Sequence, residues 1–139
     1  MTKPQVIIEN FTIEAPDWLA CRCGCRLFNY DTRFLISLQA FRYSYGKPLT
    51  PTSGCRCQKH NNKPAKEGGV GSTNSSGHQA TTKKATAIDV RGANLREIYD
   101  KAVAFGRATG LFNEIYLDSR QGFVHIAFIQ GKKFACWTQ

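Results

Sequence analysis

The order of elements along the chain predicts an α+β domain, with helices packed on one side of an antiparallel sheet. Three observations carry this expectation. Two stretches, near 31–45 and 95–109, repeat apolar residues at helical spacing. One short apolar stretch, Thr86 to Val90, has the length of a buried strand. Three more strand-length stretches follow the second helical one, with glycine turns between them. At 139 residues the chain is expected to be one domain, 1–139, large enough for a core, preceded by an N-terminal arm over about 1–18.

Taken in order, Val6, Ile8, Phe11 and Ile13 alternate loosely and read as an extended arm or short strand. Asp17 to Phe28 holds a C-x-C-x-C cluster and reads as irregular. The first helix is expected from Asp31 to Tyr45. Asp31 is a suitable N-cap, because its carboxylate can accept an unpaired backbone N–H. Phe34, Leu35, Leu38 and Phe41 make its buried face, and Gly46 stops it. Lys47 to Thr52 reads as a strand leading into a Ser53-Gly54 turn. Gln58 to Ser76 is polar, rich in Gly, Asn, Ser and Lys, and reads as a long loop of the kind that carries function. The second helix is expected over Leu95 to Thr109, with Asn94 and Glu97 as a capping box and Gly110 as its end. Strands follow at about Glu114 to Leu117, Phe123 to Ile129 and Lys133 to Trp137, the last two joined by a Gly131-Lys132 hairpin.

The bulk properties narrow the function classes. No apolar run approaches the ~20 residues of a membrane span. The N-terminus lacks the long apolar segment of a signal peptide, so cytoplasmic synthesis is expected, with release to a cell wall or a virion as the alternative. The net charge of +9 favours anionic partners such as nucleic acid, acidic lipid or a bacterial wall. The basic residues are scattered, and no basic-aromatic stripe of the kind single-strand binders use is present, so nucleic acid ranks last.

Six cysteines are many for this length: Cys21, Cys23, Cys25, Cys55, Cys57 and Cys136. Reduced thiols or a metal site are expected rather than disulfides. The C-x-C spacing departs from the C-x2-4-C of zinc ribbons, so buried thiols are the plainer reading and a structural zinc the other.

The chemistry concentrates at three residues. His78 follows a Ser/Gly-rich stretch just ahead of a strand. Asp89 lies between Ile88 and Val90, where a buried carboxylate needs a partner. His125 lies inside the apolar strand Phe123 to Ile129. Together they make an N2O donor set suited to Zn2+. Either a metal or ordinary hydrogen bonds would satisfy each of them.

These residues sit in a longer pattern: Ser53-Gly54-Cys55-Arg56, Ser76-x-His78, Ala87-x-Asp89 and Phe123-Val124-His125. The pattern resembles the zinc D-Ala-D-Ala carboxypeptidases of the VanY/VanX type, which share a fold with phage L-alanyl-D-glutamate endopeptidases and the Hedgehog signalling domain. Cys23-Gly24-Cys25, Leu38-Gln39-Ala40-Phe41-Arg42 and Gly46-Lys47-Pro48 extend the likeness to roughly residues 19 to 137. The resemblance implies His78, Asp89 and His125 as zinc ligands. It implies Arg56 as the group facing the substrate and its developing negative charge, and Ser76 as a supporting hydrogen-bond donor. It implies a peptidoglycan peptide substrate, cut by D,D-carboxypeptidase or endolysin-like action.

Three departures stand out. The step from histidine to aspartate is eleven residues here against seven in the family. Ala85 replaces a glycine. Ala127 replaces an aspartate two after the last histidine, and no acid stands two or three before His125. Asp118, on the preceding turn, is the expected catalytic acid, with Glu114 the next nearest. The alternative function is a catalytically degenerate member that binds the wall or serves as a structural phage module.

Overall fold

A computed structural model of the chain describes residues 9–12, 19–67, 69–73 and 76–139. The elements run α1 (Thr32–Tyr45), β1 (Thr50–Ser53), α2 (Gln58–Asn62), a 3-10 turn (Ala65–Glu67), β2 (Ala87–Arg91), α3 (Leu95–Thr109), β3 (Glu114–Asp118), β4 (Phe123–Ala127) and β5 (Ala135–Thr138). This is the α+β class the periodicity predicts.

Both long helices start and stop where their local chemistry dictates. Asp31 accepts the N–H groups of Arg33 at 2.9 Å and Phe34 at 3.1 Å, and Gly46 closes α1 in the left-handed region at φ 76°. Asn94 accepts the N–H of Glu97 at 3.0 Å, and Gly110 ends α3 at φ 71°. The Glu97 carboxylate pairs with Lys47 Nζ at 2.5 Å, tying the start of α3 to the end of α1.

The strands form one five-stranded sheet in the order β1-β2-β4-β3-β5. All neighbours are antiparallel except β3 and β5, which run parallel. The expected hairpin between the last two strands is therefore corrected. The chain turns at Gly131, where Lys132 N–H bonds Ile129 O at 3.1 Å, and then crosses β3 to reach the far edge. A tight two-residue hairpin would have required β4 and β5 to be neighbours.

Two further corrections concern the middle of the chain. The first strand starts at Thr50 and includes Ser53, which pairs with Asp89 instead of forming a turn. The segment read as one long loop contains α2 and the 3-10 turn. Cys57 caps α2 through its sulfur, which accepts the His60 N–H at 3.4 Å. The arm residues Val6, Ile8 and Ile13 lie outside the described residues, while Phe11 is buried in the core.

The sheet has two unlike faces. Ile88, Val90, Ile115, Leu117, Val124 and Ile126 point to one side and join α1 and α3 in a single apolar core. Phe41 sits at its centre, with its ring centroid 5.5 Å from Phe105 and 5.8 Å from Phe112, both edge-on. The other face carries a row that crosses all five strands. Ser53 lies opposite Asp89, Asp89 opposite His125, His125 opposite Tyr116, and Tyr116 opposite Trp137. Alternation along each strand thus separates the core from the chemistry.

Gly106 shows how closely α3 is seated. A Cβ there would lie 2.8 Å from Phe112 O and 3.1 Å from the Phe134 ring. Gly→Ala inside a helix normally stabilises by about 1 kcal/mol. Here the crowding reverses the sign, and Gly106→Ala is expected to destabilise by about 1–3 kcal/mol. Urea unfolding of the two proteins measures this as a lower midpoint for the variant.

Candidate metal centre

β2 and β4 set Asp89 and His125 side by side on the open face, and the segment before β2 brings in His78. His78 is held by its backbone: its carbonyl accepts the Arg56 N–H at 2.7 Å, and its own N–H reaches Ser76 Oγ at 3.3 Å. The long His-to-Asp step does not displace it. The extra residues fold into a turn closed by Gln79, whose Oε1 accepts the N–H groups of Thr81 and Thr82 and whose Nε2 donates to Thr82 Oγ1. Ala85 is fully buried and bridges to Tyr30.

Three donor atoms converge. His78 Nε2 lies 3.2 Å from Asp89 Oδ1, His125 Nδ1 lies 2.9 Å from the same oxygen, and the two nitrogens are 3.3 Å apart. A tetrahedral zinc with bonds of about 2.0–2.1 Å spans ligand edges of about 3.3 Å. The triangle has the dimensions of one face of that tetrahedron.

The remaining nitrogens fix the tautomers. His78 Nδ1 donates to Gly54 O at 2.7 Å, which leaves the Nε2 lone pair facing the triangle. His125 Nε2 donates to Glu114 Oε1 at 2.7 Å, which turns Nδ1 inward. Carboxylate and carbonyl partners of this kind orient metal-ligating histidines and raise their basicity. Asp89 Oδ2, the oxygen outside the triangle, lies 3.5 Å from Arg56 Nη2.

All four groups are buried, so their charges are strongly coupled. Burial alone would raise the Asp89 pKa, but the His78 and His125 imidazoles hold it well below the usual carboxylate range. Burial lowers His78. Burial pushes His125 down as well, but its bonds to Asp89 and Glu114 prevail and its pKa is raised.

The triangle lies in a cleft of about 930 Å3. Arg56, Ser76, Glu114 and Tyr116 also line this cleft. Arg56 is buried, with Nε on Ser53 Oγ at 3.0 Å and Nη1 on Asn61 Oδ1 at 3.2 Å. Ser76 faces the cleft, and its hydroxyl accepts the His78 N–H.

Asp118 is placed elsewhere. Its Oδ1 accepts the Gln121 N–H at 2.9 Å, closing the β3–β4 turn, and it is not among the residues lining the cleft. Glu114 takes the position beside the ligands, where it also pairs with Lys132. It lies directly across the ladder from Ala127. Tyr116 stacks on His125 at 4.7 Å between centroids, and Trp137 stacks on Tyr116 at 4.9 Å. Neither aromatic stands out in the sequence. Counting outward from the Asp118–Phe123 pair, which encloses the four-residue turn, places Tyr116 opposite His125 and Glu114 opposite Ala127.

An N2O face at the bottom of a cleft, on an α+β domain, is the frame of a mononuclear metallohydrolase centre. The chain belongs to the Peptidase M15 family, whose model matches residues 10–127. No curated protein and no solved structure matches it.

Glu114 ties the site to pH. Its bond to His125 outweighs burial and, with Lys132, brings its pKa from 4.5 down to about 2. A depressed carboxylate stabilises the fold above its unfolded value and loses that contribution as pH falls through the folded one. In chelator-treated protein, Glu114→Gln should therefore flatten the acid loss of stability between pH 4.5 and about 2. The same variant should weaken zinc binding by about 10–100-fold, read by competition with a chelating dye.

Proposed function

We propose that the protein is a zinc-dependent peptidase acting on the D-amino-acid-containing stem peptides of peptidoglycan. The observation that carries the reading is the three-atom face of His78 Nε2, Asp89 Oδ1 and His125 Nδ1, with the outer nitrogen of each ring already engaged. Membership of the Peptidase M15 family supports peptide-bond hydrolysis as the chemistry.

His78, Asp89 and His125 would hold the ion. When bound, zinc polarises the scissile carbonyl and lowers the pKa of a bound water to about 7. Glu114 acts as a positioning residue: it holds the His125 ring and keeps Nε2 protonated. Arg56 brings a buried positive charge to the cleft wall, where it offsets negative charge developing on the attacked carbonyl and can pair with a substrate carboxylate. Burial pushes the Tyr116 phenol up to about 12, so its hydroxyl keeps its proton and serves as a donor to the cleft. Ser76 fixes the approach of His78. The +9 charge favours the anionic wall as the place of action.

A second reading is a metal-holding relative that binds wall peptides without cleaving them. One observation favours it. Asp118 is turned into the hairpin and Glu114 onto His125, so among the described residues neither is aimed at a water beside the three ligands.

Zinc analysis and a stem-peptide assay separate the two. The peptidase reading expects zinc in the cleft and release of a new amine terminus, both lost in His125→Ala. It also expects Arg56→Ala to reduce kcat/KM by about 100-fold or more with zinc retained. Zinc and peptide binding without any amine release would favour the second reading. A cleft that takes no zinc would sink both.

A further inference from the structure

The cysteine cluster that the peptidase reading leaves unused converges on one point. Cys21, Cys23, Cys25 and Cys57 place their sulfurs within 4.8 Å of one another. Cys21 and Cys23 are 3.4 Å apart, and Cys23 and Cys57 are 3.5 Å apart. A tetrahedral zinc with Zn–S bonds of about 2.3 Å has sulfur–sulfur edges of about 3.8 Å. The two separations lie a few tenths of an ångström below that value, and all four sulfurs are close enough to share one ion.

We propose that these four cysteines form a second metal site, a structural tetrathiolate centre for zinc, separate from the cleft.

The backbone explains how C-x-C-x-C spacing reaches this geometry. Gly24 adopts φ 102° and Arg26 φ 59°, so the chain curls tightly and directs alternate side chains to one side. The opposing segment approaches closely. Cys55 N–H bonds Leu19 O at 3.1 Å, Cys21 N–H bonds Leu27 O at 2.8 Å, and Gly54 has no room for a Cβ against the Leu19 backbone.

Backbone N–H groups point at the sulfurs. Cys57 N–H reaches Cys21 Sγ at 3.4 Å, Leu27 N–H reaches Cys25 Sγ at 3.5 Å, and His60 N–H reaches Cys57 Sγ at 3.4 Å. His60 Nδ1 lies 3.6 Å from Cys21 Sγ. Donors arranged in this way compensate the negative charge of thiolates in a metal centre. The other two cysteines are set apart: Cys55 Sγ donates to Leu19 O and Leu27 O at 3.2 Å each, and Cys136 lies beside Arg107.

Binding releases the thiol protons to solvent and needs no oxidant. The ion would fasten the 21–25 loop to Cys57 at the start of α2. Arg56 immediately precedes Cys57, so the centre would anchor the segment that carries Arg56 into the cleft.

The test uses Co2+ as the probe on the full chain, reduced, stripped of metal and kept free of air. Wild-type protein should take up Co2+ with an intense sulfur-to-metal charge-transfer band, and excess Zn2+ should bleach it. His78→Ala/His125→Ala should bind one ion fewer and keep the whole band. Cys25→Ser and Cys57→Ser should each weaken or abolish it. Should either serine variant fail to fold, the wild-type and histidine-variant spectra decide the matter alone. Absence of the band from folded wild-type protein would overturn the proposal. So would two disulfides among these cysteines in protein isolated with its thiols trapped by alkylation. The histidine variant keeps this outcome distinct from any failure of the cleft site.

Discussion

A carboxylate buried in the middle of a sheet must be surrounded by groups that replace its water. Asp89 is 5% exposed, and its two oxygens divide that task. Oδ1 faces the two imidazoles and Oδ2 faces the Arg56 guanidinium. Each partner arrives from a different part of the chain, and each is held in turn: His78 by Gly54 O, His125 by Glu114, and Arg56 by Ser53 and Asn61. The register of β2 against β4, the Ser53 pairing of β1 and the course of the 54–57 segment all serve to bring those partners to one carboxylate. A one-residue slip in any of these strands would turn its contribution into the apolar core.

Much of this was legible in the sequence because it depends on local chemistry. The ends of α1 and α3 follow from Asp31, Asn94, Gly46 and Gly110, each acting on its own backbone. His78, Asp89 and His125 could be proposed because polar residues inside apolar strands require an explanation. What could not be read depends on pairing between distant segments. Glu114 looks like an ordinary strand acid until β3 is laid against β4, and Asp118 looks better placed until its turn is seen to use it. The parallel β5 was hidden because the Gly131 turn suits a hairpin equally well, and only the sheet order shows the crossing. The cysteine cluster was obscured by a spacing unlike that of zinc ribbons, which the left-handed residues Gly24 and Arg26 make workable.

The segment from Ser53 to Cys57 makes contacts of several kinds. Ser53 pairs with Asp89 and bonds Arg56, Gly54 gives its carbonyl to His78, Arg56 meets Asp89, and Cys57 joins the thiols and caps α2. One short stretch thus serves both the cleft and the thiol cluster.

The turn closed by Gln79 has a different character. Its amide bonds residues two and three further on, Asn29 Nδ2 donates to the carbonyls of Ala80 and Lys83, and His78 is anchored separately through Arg56 and Gly54. Chain length between His78 and Asp89 is thereby uncoupled from the positions of those two residues. That stretch is a natural insertion point for a fluorophore or an affinity tag, which would report on the cleft from close by without lengthening any strand that builds it.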